Sequence, residues 1–261
     1  MGPKTSSLRK SSSSLPFSTS DFIELKNKNI NIDSFETIAV IGRGTFGKVL
    51  LVKAKESTTM YAMKQIRKDL IVQMHQVDHI QSEREILGNL EFPFIIKMHY
   101  AFQTKKKLFF VFNYVKGGEL FHHLSKCQYF DEERARFYSA ELLVTLEYLH
   151  SKNVVYRDIK PENILLDDTG NIILTDFGLS KRLPLKSRTN SLCGTAEYMA
   201  PEIIKGESYG HSVDYWALGI LIFEMLTGNV YYFISHHSMR KTKAKFFTEF
   251  LQSNWICRTQ I

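Results

Sequence analysis

The chain has 261 residues, a formal net charge of +7, and 44% hydrophobic against 23% charged residues. That is the composition of an ordinary globular protein, long enough for one large domain or two lobes sharing a cleft, and it needs neither disulfides nor a structural metal to build a core. Cys127, Cys193 and Cys257 are scattered and form no CxxC pair, which argues against a disulfide framework or zinc site and favours a reducing compartment, the cytoplasm or the nucleus.

Residues 1–34 are Ser/Thr-rich between Thr5 and Ser20, carry no apolar run of signal-peptide length, and are expected to be disordered. Met1-Gly2 followed by Ser6 fits a myristoylation pattern, but Pro3 sits awkwardly in it and a non-acylated tail is expected. From residue 35 the pattern changes to β-branched and apolar segments, and strands are predicted over 35–41, 48–54 and 59–66. Between the first two lies Gly42-Arg43-Gly44-Thr45-Phe46-Gly47-Lys48-Val49. A glycine triplet alone is a weak signal, because dinucleotide-binding folds also use one. There the third glycine opens a helix; here residues 48–52 continue as strand, so the glycines belong to a hairpin whose N–H groups can approach phosphate oxygens.

The third strand carries Tyr61-Ala62-Met63-Lys64. A lysine on the buried side of a strand requires an anionic partner. A helix predicted over 75–90, with Ile80, Ile86, Leu87 and Leu90 near one face, offers two, Glu83 and Glu85. Strands follow over 96–102 and 108–114, and Gly117-Gly118 marks a hinge. Helices are predicted over 119–124 and 132–150, the second with Asp131 near its start, and short strands at 154–155 and 164–166. The longest apolar run, 213–226, is short for a membrane span and contains Asp214 and Glu224, so it reads as a buried helix. Strands first and helices afterwards imply an α+β architecture of two lobes, about 35–115 and 116–228.

Lysine runs at Lys105-Lys106-Lys107 and around Arg240, Lys241, Lys243 and Lys245 read as solvated faces. Neither nucleic-acid binding nor a stable membrane association is expected. The His122-His123 and His236-His237 pairs lack flanking ligands, and no metal is assigned to them.

The densest chemistry is Tyr156-Arg157-Asp158-Ile159-Lys160-Pro161-Glu162-Asn163, followed by a strand-like stretch over 171–175 and Asp176-Phe177-Gly178. Asp158 can accept a hydroxyl proton, Lys160 can neutralise a transferring phosphoryl group, and Asn163 and Asp176 offer hard oxygen ligands that suit magnesium. This string resembles the catalytic and magnesium loops of eukaryotic protein kinases, with Tyr156 where most members carry His. The resemblance implies a two-lobed kinase fold with ATP and Mg2+ as cofactors, and by its spacing it prefers Glu83 over Glu85 as partner of Lys64. It walls the nucleotide with Ile41, Val49, Ala62, Phe112, Tyr114 and Leu165, Phe112 guarding the rear. Lys160 and Glu162 imply Ser/Thr rather than Tyr specificity.

Leu192-Cys193-Gly194-Thr195-Ala196-Glu197-Tyr198-Met199-Ala200-Pro201-Glu202 resembles the end of an activation segment. Together with Tyr156 it is similar to the AGC group, which contains cyclic-nucleotide-dependent kinases, protein kinases B and C, and ribosomal S6 kinases. That resemblance implies a switch at Ser191, phosphorylated by an upstream activating kinase and paired with Arg157 and other basic residues, with Thr189 a weaker candidate. It also implies protein substrates with basic residues near Ser/Thr, read by Glu119, Glu162 and Glu224.

Past Gly228 the motif pattern stops. Residues 229–261 are expected to be an unrelated tail, as from a truncated or mis-spliced reading frame, leaving the larger lobe incomplete and Glu202 without its usual arginine. The competing reading is therefore a catalytically impaired protein that binds nucleotide or partners without turnover.

Overall fold

The computed structural model describes residues 30–229. The Ser-rich segment and the 230–261 stretch, with His236-His237, the Arg240 cluster and Cys257, lie outside the described residues. Order begins ahead of the expected boundary at 34: Asn31 caps a turn over Ile32–Ser34, and Ile30 and Ile32 pack on the first hydrophobic cluster.

Five strands form one antiparallel sheet: β1 (Phe35–Gly44), β2 (Gly47–Ala54), β3 (Met60–Arg67), β4 (Met98–Gln103) and β5 (Lys107–Asn113), in the order β1-β2-β3-β5-β4. Alternation of side chains along each strand gives the sheet two faces. On one, Phe35, Leu50, Val52, Met63, Phe109 and Val111 close a small core. The other carries Ala62, Lys64, Phe110 and Phe112, with the pairings Val49↔Lys64, Lys64↔Phe110 and Ala62↔Phe112. A slip of one residue in β3 would turn Lys64 into the apolar core, so register itself places this lysine in the cleft.

Two helices follow β3. The short α1 (Lys68–Gln73) was not expected from the sequence, and α2 (Val77–Gly88) is the predicted helix. Ile80, Glu83, Ile86 and Leu87 are its buried residues, so the carboxylate of Glu83 rides on the apolar face. Glu85 is exposed, which settles the choice between the two acids in favour of Glu83.

The second lobe contains α3 (Leu120–Cys127), α4 (Glu132–Ser151), the four-residue α5 (Pro201–Ile204) and α6 (Ser212–Thr227). Two small ribbons complete it, β6 (Val154–Val155) with β9 (Lys181–Arg182) and β7 (Ile164–Leu166) with β8 (Ile172–Leu174). Asp131 caps α4 by accepting a hydrogen bond from Arg134 N at 2.8 Å. Buried Leu142, Leu146 and Leu149 of α4 belong to one cluster with Leu218, Leu221 and Met225 of α6. Among the described residues, no helix is long and apolar enough to cross a membrane.

Candidate active site

The glycine-rich hairpin is built as expected. β1 runs to Gly44, Thr45-Phe46 makes the turn, and β2 resumes at Gly47, with Gly42 opposite Val49 and Arg43 opposite Lys48. Phe46 O accepts from Arg67 N at 2.9 Å, which ties the turn to β3. A Cβ on Gly47 would lie 1.8 Å from Gln65 O, a backbone atom that cannot step aside. Gly47→Ala is therefore expected to cost about 1–3 kcal/mol of stability, seen as a melting temperature lower by about 2–4 °C per kcal/mol. Displacement of the turn should also weaken nucleotide binding, measurable by titration with an ATP analogue.

Lys64 Nζ lies 2.7 Å from Glu83 Oε1 and 3.1 Å from Asp176 Oδ1. Two carboxylates hold the ammonium charged well above the ordinary lysine range despite its burial. Burial pushes the Glu83 carboxyl up, and the Lys64 charge opposes that rise. The Lys64 charge holds Asp176 below the usual carboxylate range. The Asp176 side chain is 55% exposed and its backbone adopts φ +50°, a turn that presents an ionised oxygen pair to the cleft.

Asp158 stands at the other wall. Its Oδ2 accepts from Asn163 Nδ2 at 2.8 Å and lies 3.0 Å from Lys160 Nζ. Its Oδ1 accepts from Thr195 Oγ1 at 2.7 Å, and Lys160 Nζ in turn donates to Thr195 Oγ1 at 2.8 Å. The sequence assigned Asp158, Lys160 and Asn163; Thr195 is the member it missed, although it stood within the quoted activation segment. Because Asn163 donates through its nitrogen, its carbonyl oxygen is the atom left for a cation. Among the described residues no cluster of three His, Cys, Asp or Glu could cage a metal. A site with one carboxylate and one amide oxygen suits magnesium, which keeps waters and takes phosphate oxygens as further ligands.

What fixes the catalytic loop lies far away in the chain. Asp214, fully buried in the first turn of α6, accepts from Tyr156 N at 2.9 Å, Arg157 N at 2.8 Å and His150 Nε2 at 2.8 Å. Arg157 has φ +72°, a left-handed conformation that these bonds hold in place. Tyr156 is fully buried, donates to Thr175 O, and sets its ring edge-on to Phe177 at 5.2 Å between centroids. Burial raises its phenol well above 10, so it stays neutral.

The remaining predicted residues fall around this centre. Ile41 and Val49 stand on β1 and β2, Ala62 on β3, Phe112 on β5 and Leu165 on β7, with Tyr114 directly after β5. Leu165 forms an isolated bridge with Glu119, and His122 Nδ1 is 3.5 Å from the Glu119 carboxylate. Glu162 is exposed, whereas Glu224 is buried and accepts a hydrogen bond from Tyr198. Burial, with the Glu162 charge adding to it, raises the Glu224 carboxyl. Ser191 is exposed, and its carbonyl accepts from Tyr209 at 2.7 Å. Arg157 does not reach Ser191 directly: its Nε donates to Leu179 O at 2.7 Å and its guanidinium donates to the Tyr209 hydroxyl at 3.3 Å. Among the described residues, Glu202 has no cation within ion-pair distance.

Comparison with known proteins agrees with this geometry. The protein kinase domain family matches residues 35–259, a range that runs past Gly228, where the recognisable motifs end. The chain is 51% identical over 204 residues to Protein kinase 2 of Dictyostelium discoideum, covering 78% of this chain and 43% of that protein. It is also 51% identical over 202 residues to the cAMP-dependent protein kinase catalytic subunit of the same organism, covering 77% and 31%. Serine/threonine-protein kinase gad8 of Schizosaccharomyces pombe is 51% identical over 200 residues, covering 76% and 35%. The chain thus spans less than half the length of these relatives, and they are of the group that Tyr156 and Leu192-Cys193-Gly194-Thr195 pointed to. The chain belongs to the protein kinase domain family.

Proposed function

We propose that this chain is a serine/threonine protein kinase of the AGC type, using ATP and magnesium, acting on Ser/Thr in basic contexts and switched by phosphorylation at Ser191. The observation that carries the reading is the pair of facing constellations, Lys64–Glu83–Asp176 and Asp158–Lys160–Asn163–Thr195, with all of their polar contacts between 2.7 and 3.1 Å. Bound magnesium would be held by Asp176 and Asn163 and would neutralise phosphate charge. Lys64, fixed by Glu83, meets the nucleotide's phosphates from the sheet side. A substrate hydroxyl replaces the Thr195 hydroxyl at Asp158, which accepts its proton and aims the oxygen for in-line attack. Lys160, one contact away, stabilises charge on the group in transit.

Substrate preference is supported by Glu162 and Glu224, because the Glu162 charge makes ionisation of the buried Glu224 more costly. An arriving arginine or lysine relieves that cost, and Glu119 adds a third acid. The switch is supported by basic groups close to Ser191. Lys181 Nζ lies 3.0 Å from Thr189 Oγ1, which is 3.3 Å from Ser191 Oγ, and Arg157 is one hydroxyl away through Tyr209. A dianionic phosphate there would draw these cations together and order the segment.

The test is phosphate transfer from ATP to an Arg-x-x-Ser peptide by wild type and by Asp158→Ala, alongside an acidic peptide of the same length. Transfer that depends on Asp158 and prefers the basic peptide supports the reading. Folded wild type that binds nucleotide yet shows no Asp158-dependent transfer would instead establish the non-catalytic binding protein.

A further inference from the structure

Resting on the nucleotide-binding part of the reading above, we infer that His99 is a positioning residue for the nucleotide, acting through Asn113 at the end of β5. β4 and β5 pair as Met98↔Phe112 and next as Tyr100↔Val111, so His99 is the extra residue of a β-bulge. A bulge leaves one residue out of the ladder and re-aims its side chain. Here the imidazole turns onto Asn113, with His99 Nε2 2.6 Å from Asn113 Oδ1. A carbonyl oxygen only accepts, so Nε2 carries the hydrogen and donates it. The backbone is tied at the same place, where Asn113 N donates to Lys97 O at 3.3 Å.

Asn113 stands between the two residues of this stretch that the kinase reading sets against the nucleotide. Side chains alternate along β5, so Phe112 faces the cleft opposite Ala62, and Asn113 faces the other way, opposite Tyr61. Tyr114 comes next, where β5 has already ended. A strand that leaves its sheet no longer has a ladder to set its direction, and the His99 ring supplies one. It meets the Tyr61 ring edge-on at 5.3 Å between centroids while it holds the Asn113 side chain. One imidazole thus joins β3, β4 and β5 behind the apolar wall of Ala62, Phe112 and Tyr114. The groups that meet the phosphates, Lys64, Glu83 and Asp176, are held by one another. Loss of His99 should therefore be felt at the nucleoside end of ATP and spare the phosphate end.

The experiment titrates the whole chain, wild type and variants, with a non-hydrolysable ATP analogue and magnesium, and separately with magnesium tripolyphosphate. His99→Ala is expected to weaken binding of the ATP analogue by about two- to tenfold, the effect of one lost hydrogen bond, and to leave tripolyphosphate binding unchanged. KM for ATP should rise by the same factor while kcat stays within about twofold of wild type. His99→Gln, which can offer an amide N–H to the same oxygen, should recover most of the affinity. Asn113→Ala should lose what His99→Ala loses, and the double variant no more than either, because the two side chains act through one contact. Melting curves establish that each variant is folded, and Asn113→Ala serves alone if His99→Ala is not. Wild-type affinity of His99→Ala for the analogue overturns the inference and leaves the kinase reading intact. So do losses that add in the double variant, or a loss of tripolyphosphate binding equal to that of the analogue. Wild type that binds neither ligand overturns both.

Discussion

Asp214→Ala is expected to lower stability by about 3–5 kcal/mol, the range for removing one member of a buried charged network, and with it the melting temperature by roughly 6–20 °C. The carboxylate satisfies Tyr156 N, Arg157 N and His150 Nε2 at once, and all three belong to buried residues. An alanine would leave two backbone donors and an imidazole buried without acceptors and would release Arg157 from its left-handed backbone. Because residues 156 and 157 lead directly into Asp158, phosphate transfer should fall with stability. Asp214→Asn keeps one acceptor oxygen and is expected to lie between wild type and Asp214→Ala in both readouts. Calorimetry and peptide phosphorylation on the same preparations check this; an Asp214→Ala protein with wild-type melting would remove Asp214 from its role as anchor of the loop.

Glu83→Gln is expected to reduce kcat/KM for ATP by about 10²–10³-fold, the loss typical when one preorganised electrostatic contact to the reacting group is removed. The amide remains the right shape but gives up the charge that holds Lys64, leaving Asp176 as its single carboxylate partner. Lys64→Ala should cost as much alone as it does together with Glu83→Gln, because the two act as one unit. The pH dependence carries the same signature. Burial raises the Glu83 carboxyl above its ordinary 4.5, so as pH falls this acid takes its proton before an exposed glutamate would. Its hold on Lys64 is then lost, and the acid limb of kcat/KM should lie above 4.5 in the wild type. In Glu83→Gln that limb should shift to lower pH, since the groups that remain include Asp176, whose carboxyl is held low. A limb unmoved by the substitution would assign it to a different acid.

What was legible in the sequence was whatever evolution writes contiguously. Residues 156–163 and 176–178 could be read as a unit because a single loop and a single ribbon must present an acid, a lysine, an amide and a second acid within a few ångströms. The hairpin glycines were legible for a similar reason, since only a residue without a side chain fits against Gln65 O at position 47. Glu83 and Glu85 could not be separated by residue type; the helical phase that buries one and exposes the other decided between them. Asp214, Tyr209 and His150 were missed as parts of the site because their partners are dozens of residues away, and a buried aspartate at a helix start looks locally like any favourable first-turn acid. The signal that could have found Asp214 was its place in an otherwise apolar run, where an ionised group must be satisfied by something. The short helix after β3 and the four-residue α5 were missed because neither is long enough to show a period.

Tyr156 also bears on how small molecules would meet this protein. Its ring and that of Phe177 are both fully buried and packed edge to face, so swinging Phe177 outward would expose two aromatic surfaces together. Re-exposing one such side chain costs about 2–3 kcal/mol, which corresponds to roughly 30- to 160-fold in the population of the displaced state. A compound that requires Phe177 out would see its apparent affinity reduced by that fraction. Compounds shaped to the assembled cleft would bind without that penalty, and the two classes should separate clearly in a side-by-side affinity measurement.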